Sequence, residues 1–236
     1  ETGANDALAN YDSGTGSDYL IFYYIIASGD TSSNLSYVSS SSLALNSGTI
    51  KDGAGNEATL ALPEPGATNS LSANKTIVID AQLPTVLSVS STAVDSVYGI
   101  GSIIPITVLF SEKIKVEGIP QIIISTGTIG DTVNYVSGST TDILIFNYTV
   151  SQSDNSSDLD YKDEDALILN NGTIKDLAGN DALLKLVAPG LENSLGANKQ
   201  LIIDTSGPIV LNVTSNSING IYKIGDTVNV SINFNE

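Results

Sequence analysis

Gly48-Thr-Ile-Lys-Asp-Gly-Ala-Gly-Asn56 and Gly172-Thr-Ile-Lys-Asp-Leu-Ala-Gly-Asn180 are nearly the same nonapeptide, placed 124 residues apart. The likeness continues outward from this pair. Asn69-Ser-Leu-Ser-Ala-Asn-Lys75 matches Asn193-Ser-Leu-Gly-Ala-Asn-Lys199, and Ile79-Asp80 with Pro84 matches Ile203-Asp204 with Pro208. Tyr98, Ile100, Gly101, Phe110 and Glu112 match Tyr222, Ile224, Gly225, Phe234 and Glu236. Aligned without a gap, Asp18–Glu112 and Asp142–Glu236 share 44 of 95 positions. Thr2-Gly3 and Tyr11 fall on Thr126-Gly127 and Tyr135, so the first residues keep the phase. Solenoid repeats run about 20–50 residues. A 124-residue period is instead the size of a folding domain, so the expected organisation is beads in series.

Within a period, short β-rich runs alternate with Gly, Asn, Ser and Asp clusters. The spacing predicts strands over Pro84–Ser91, Ile103–Phe110, Gln121–Ser125, Val133–Tyr135, Ile143–Val150, Ala166–Leu169, Gly172–Lys175 and Gln200–Asp204. No segment sustains a 3.6-residue apolar period, so little helix is expected. About eight strands in some 124 residues predict an all-β fold of tandem immunoglobulin-like β-sandwich repeats. The Ile-Asp-x-x-x-Pro joints suit a strand entry, where proline is tolerated. They divide the chain into an incomplete sandwich lacking its first strands (1–83), a complete one (84–207) and the first strands of a further one (208–236).

Composition narrows the chemistry. The chain is 41% hydrophobic but only 15% charged, against about 25% charged in an average domain. It contains no Cys, His, Met, Trp or Arg. The usual thiolate and imidazole nucleophiles and zinc or copper sites are therefore excluded. A net charge of −17 repels nucleic acid and attracts cations that prefer oxygen ligands. No carboxylate pair is placed across a cleft by any motif, so no enzyme is expected. No initiator Met, signal peptide or long apolar run is present, which on this reading makes the chain part of something longer, with no membrane span of its own.

The blocks Gly-Thr-Ile-Lys-Asp-x-Ala-Gly-Asn, Asn-Ser-Leu-x-Ala-Asn-Lys and Ile-Asp-x-x-x-Pro, with Phe110-Ser-Glu112 early in the period, resemble the long-protein repeats of the cyanobacterial swimming-associated cell-surface protein. More loosely, they resemble the immunoglobulin-like repeats of giant bacterial adhesins. The resemblance covers the whole chain. It implies an extracellular, cell-surface β-sandwich array, often rigidified by calcium, and does not imply an enzyme. A structural or adhesive spacer in an array or filament is the leading expectation. A module binding a glycan or a cell-surface ligand is the alternative.

In an immunoglobulin-like sandwich, Glu112 is expected in one polar loop, and Asp176 and Asn180 in another at the same pole. Asp80 arrives there from the incoming linker. Three carboxylates and an amide suit Ca²⁺, which takes six to eight oxygens. Asp204 and Glu236 would begin the equivalent set at the next joint, and Asp52 and Asn56 are the matching second half at the other end. The competing reading is that these Asp and Asn residues only shape turns. The acidic run Asp154–Asp165 lacks the glycine of an EF-hand loop and reads as a solvated loop. Seven glycosylation sequons occur, at Asn34, Asn74, Asn147, Asn155, Asn171, Asn212 and Asn229.

Phase arithmetic adds an assembly expectation. Residues 208–236 supply the strands that 1–83 lack, so neighbouring repeats or identical subunits could join head to tail by strand exchange. The plainer alternative is a continuous array.

Overall fold

The computed structural model describes residues 1–3, 5–127 and 130–236. It is all-β, with 36% strand and 3% helix. Residues 1–83 carry β1 (Asn10–Ser13), β2 (Ile21–Tyr23), β3 (Thr31–Ser32), the helical turn α1 (Leu71–Asn74) and β4 (Ile79–Asp80). Residues 84–207 carry β5 (Val86–Ser91), β6 (Ser96–Tyr98), β7 (Ile103–Glu117), β8 (Gln121–Ser125), β9 (Asp131–Ser137) and β10 (Thr141–Thr149). They continue with β11 (Asn155–Ser156), β12 (Asp160–Tyr161), β13 (Leu167–Ile168), β14 (Thr173–Asp176), α2 (Leu195–Asn198) and β15 (Leu201–Asp204). The hairpin β16 (Val210–Thr214) and β17 (Ser231–Phe234) ends the chain. Neither helical turn is long enough to cross a membrane.

Strand β7 organises the largest sheet. One edge pairs antiparallel with β10, from Ile103↔Thr149 to Ile114↔Thr141. The other edge takes β5 along Ile106–Phe110 and then β14 along Ile114–Glu117. Strand β9 links β10 to β8, which carries β12 and β13 on its far edge. A smaller sheet, β11-β15-β6, includes a parallel pair between β15 and β6.

The alternation of β7 explains its burial. Ile104, Ile106, Val108, Phe110 and Ile114 are buried, whereas the residues between them are partly or fully exposed. Successive side chains of a strand face opposite ways, so one register selects all five. They pack with Leu144, Phe146 and Tyr148 of β10, Ile122 and Ile124 of β8, and Ile174 of β14. Leu201 and Ile203 of β15 join the same cluster, so the small sheet also faces this core. Tyr135 meets Phe146 edge-on, with centroids 6.1 Å apart and planes at 71°. That geometry sets the positive ring edge against the negative face. The thirteen-residue stretch Gly138–Val150 opens on a glycine with φ of 113°; an added Cβ there would lie 2.0 Å from the Ile143 carbonyl oxygen. Only glycine fits that turn into β10.

The core cluster runs from Val89 to Ile203. Among the described residues of 1–83, only Thr2, Ser36, Ser70, Ile79 and Ala81 are buried, and none of 208–236 is. Two details depart from the sequence reading. Strand β7 extends seven residues beyond Phe110, because β14 provides a second partner after β5 ends. The short strands β6, β11 and β12 lie outside the predicted runs; partners distant in sequence define them.

Burial differences give a direct test. Phe146→Ala, in a fully buried site, should cost about 3–5 kcal/mol in denaturant unfolding. Phe22→Ala, at a phenylalanine left 38% exposed in β2, should cost under about 1 kcal/mol in dilute solution. Equal losses would contradict this placement of the core.

Candidate metal centre

The inward-facing series of two strands each reach a carboxylate at the same place. On β7 the series Ile106, Val108, Phe110 continues to Glu112 before returning to Ile114. On β14 it passes from Ile174 to Asp176, and both are buried. Asp176 lies opposite Ile114 in the ladder, two residues along from Glu112. The chain enters at this end through Asp80, the last residue of β4. One carboxylate oxygen from each of Asp80, Glu112 and Asp176 lies within 4.8 Å of the others.

Local chemistry fixes each contributor. The Asp176 carboxylate accepts from the backbone N–H of Gly179 at 2.6 Å and of Asn180 at 2.8 Å. It also accepts from Asn180 Nδ2 at 2.6 Å. Gly179, at φ 102°, turns the chain so that these donors converge. Residues on both sides zip into a hairpin, with Asp176 N–H donating to the Asn180 carbonyl and Ala182 N–H to Ile174. The linker is anchored just beyond Asp80. Ser111 N–H donates to the Thr85 carbonyl at 2.9 Å, and Thr85 N–H donates to Ser111 Oγ at 3.0 Å. Asn180 Nδ2 also donates to the Asp80 carbonyl at 3.0 Å, tying the turn to residues 1–83.

Turn chemistry therefore accounts for Asp176 and Asn180. It does not account for Glu112. Burial pushes the Glu112 carboxyl above its usual range, and the charges of Asp80 and then Asp176 push it further. Among the described residues, no cation or hydrogen-bond donor offsets these effects. The donor set is all oxygen, with three carboxylates, and fits a hard divalent cation better than a soft one.

All four residues expected at this pole, Asp80, Glu112, Asp176 and Asn180, are brought together. Glu112 differs from expectation in lying within β7 rather than in a loop. Asp52 and Asn56 form the same turn by themselves. The Asp52 carboxylate accepts from Ala54 N–H at 2.9 Å, Asn56 N–H at 2.8 Å and Asn56 Nδ2 at 2.8 Å, and these bonds hold its pKa below the usual value. Asp204 caps its own turn by accepting from Ser206 N–H at 2.9 Å, and Glu236 is exposed. Among the described residues, neither pair joins a cluster of three carboxylates.

The acidic run 154–165 is less solvated than its composition suggests. Asp154 is buried and accepts from Tyr148 Oη at 2.7 Å, while Glu164 and Asp165 pair with Lys185. Thr85, Ser111 and Gly179 lie outside the expected ligand set, although Ser111 sits inside the Phe110-Ser-Glu112 block and Gly179 inside the repeated nonapeptide. Of the sequon asparagines, Asn74, Asn147, Asn155, Asn171, Asn212 and Asn229 are exposed. Asn34 is half-buried and bonded through both side-chain ends, to the Ser72 carbonyl and Ile77 N–H. Comparison with family models, curated proteins and solved structures finds no match.

The electrostatics carry a pH prediction. With its pKa raised, Glu112 binds a proton more tightly in the folded than in the unfolded chain. Its destabilising effect is complete above the folded pKa and is relieved as pH falls through that value towards the unfolded one. In chelator, Glu112→Gln should therefore raise the melting temperature at neutral pH, and its advantage over wild type should shrink on acidification. A variant less stable than wild type at neutral pH would contradict an unbalanced Glu112.

Proposed function

We propose that the chain is an extracellular structural or adhesive segment, built of tandem immunoglobulin-like β-sandwich repeats, in a cell-surface array or filament. We further propose that Ca²⁺ held by Asp80, Glu112 and Asp176, with Asn180 positioning the turn, stiffens the joint between residues 1–83 and 84–207. The carrying observation is that the three carboxylates come from the two sides of that joint. Asp80 belongs to the incoming segment, whereas Glu112 and Asp176 belong to the core-bearing one.

Several paired arrangements support the tandem reading, each separated by the sequence period. The Asp52 and Asp176 turns share two donors, the backbone N–H and the side-chain Nδ2 of the following Asn. Ser70 and Ser194 both cap a four-residue helical turn, accepting from Ala73 N–H and Ala197 N–H. Tyr11 meets Phe22 edge-on, as Tyr135 meets Phe146. Tyr98 and Tyr222 each donate at 2.7 Å to the carbonyl four residues earlier. The extracellular assignment rests on the resemblance of the sequence blocks to cell-surface repeats. The structural role rests on the acidic, His- and Cys-free composition together with that resemblance.

A cation binding only the folded state adds about 2.7 kcal/mol at a concentration 100-fold above Kd. For a chain of this size that corresponds to a rise of roughly 5–10 °C in Tm. Calcium should produce such a rise and should narrow the distribution of shapes seen by small-angle scattering. Glu112→Gln, which disturbs no turn hydrogen bond, should abolish both effects. Unchanged Tm and unchanged shape on chelation of the wild-type chain would overturn the calcium joint.

A further inference from the structure

Six acidic residues lie in 154–165, and only one of them, Asp154, has an acidic counterpart 124 residues earlier, Asp30. The other five correspond to Asn34, Ser36, Ser39, Ser40 and Ser41. The two shared acids make the same bonds. The Asp30 carboxylate accepts from Tyr24 Oη and, at 2.7 Å, from Ala27 N–H. The Asp154 carboxylate accepts from Tyr148 Oη at 2.7 Å and from Ser151 N–H at 2.6 Å. In both, a tyrosine six residues earlier and an amide three residues earlier converge on one carboxylate oxygen. An ionised acceptor makes such bonds stronger than neutral ones. The Tyr24 bond and then the Ala27 bond hold the Asp30 carboxyl below its usual range.

The closed turn governs the strand pair beside it. Thr31 of β3 pairs with Asp80 of β4, and Ser32 with Ile79. The Asp30 carbonyl accepts from Ala81 N–H at 2.9 Å, and Gly29 N–H donates to the Ala81 carbonyl at 2.8 Å. Ile79 and Ala81 are buried, whereas Asp80 is exposed. Strand alternation thus turns Asp80 away from the side its two neighbours bury, and its carboxylate lies beside Glu112 and Asp176. The register recurs 124 residues on. Asn155 pairs with Asp204 and Ser156 with Ile203, and Thr205 Oγ1 donates to the Asp154 carbonyl at 2.9 Å. In both places the acid on the outgoing strand lies opposite the residue that follows the tyrosine-bonded aspartate.

From this geometry we infer that Tyr24 and Asp30 form a latch that positions the Asp80 carboxylate. Neither belongs to the carboxylate cluster; both act through the backbone. Their bond closes the turn 27–30, the closed turn presents the Asp30 carbonyl and Gly29 N–H to Ala81, and those two bonds fix the strand that carries Asp80. Asn180 Nδ2 holds the Asp80 carbonyl from the side of 84–207, so the latch is the matching hold from the side of 1–83. That hold has a mechanical consequence. A ligand on a slack linker would bind a cation without stiffening anything, whereas a latched Asp80 transmits the constraint into residues 1–83. The latch itself needs no metal. Its effect on cation affinity rests on the calcium reading above.

The test compares the full chain with Tyr24→Phe and Asp30→Ala, and with Tyr148→Phe as a control. In chelator, amide hydrogen exchange at Ala81 and Gly29 should be several-fold faster in the first two variants than in wild type. Calcium affinity, measured by titration calorimetry with calcium alone, should fall about 10-fold in both, the lower end of the loss when a group supporting a metal ligand from outside is removed. Neither residue belongs to the core cluster, so melting of 84–207 in chelator should hold. Tyr148→Phe should do the opposite. It leaves the buried Asp154 short of a donor, so melting should fall while calcium affinity stays. A merely structural role for Tyr24 would move stability and affinity together. Unchanged exchange at Ala81 and Gly29 overturns the latch. Faster exchange with unchanged affinity, or an equal loss of affinity in Tyr148→Phe, overturns its part in placing Asp80. Wild type that binds no calcium overturns the calcium joint instead, and the exchange comparison still decides the latch.

Discussion

The constraint on which the remainder depends is the fifteen-residue alternation of β7. A strand this long is rarely paired along its whole length by one neighbour. Here β10 serves one edge, while β5 and β14 divide the other. Strands β5, β10 and β14 therefore refer their positions to the same backbone, and β9 and β8 follow through β10. A slip of one residue would turn Ile104, Ile106, Val108, Phe110 and Ile114 to solvent together, so the core enforces the register throughout. That same enforcement decides where Glu112 points. The carboxylate falls in the inward series by parity, at the end where apolar cover gives way to Asp80 and Asp176.

This placement separates two kinds of acidic residue that look alike in the sequence. Asp52 and Asp176 both accept two backbone N–H groups and an Asn side-chain amide, and both would be retained for turn geometry alone. Glu112 sits on a strand, makes no turn, and meets two other carboxylates in a partly desolvated corner. In isolation that arrangement is unfavourable, because like charges and burial act in the same direction. A hard cation would add an attraction to all three carboxylates that offsets both contributions. Calcium is proposed on the strength of Glu112 rather than on the density of acidic residues.

Much of this was legible in the sequence because period-2 alternation and turn signals are local. The run Ile103–Phe110 lies within β7, Gln121–Ser125 coincides with β8, and Ile143–Val150 overlaps β10 in all but Val150. The four site residues could be grouped because each belongs to a block that occurs twice, and paired copies expose which polar positions travel together. The features that escaped prediction depend on partners far along the chain. The extension of β7 through Glu117 requires β14, some sixty residues later. The burial of Asp154 requires the hydroxyl of Tyr148, delivered through the β10 register. A window over residues 154–165 registers charge density but not that partner.

On the proposed reading, the cation acts where the alternation of β7 leaves a carboxylate rather than an apolar side chain on the inward face. Apolar contact holds the core of 84–207 together, whereas the cation would fix the angle at the joint by tying Asp80 of the incoming segment to Glu112 and Asp176.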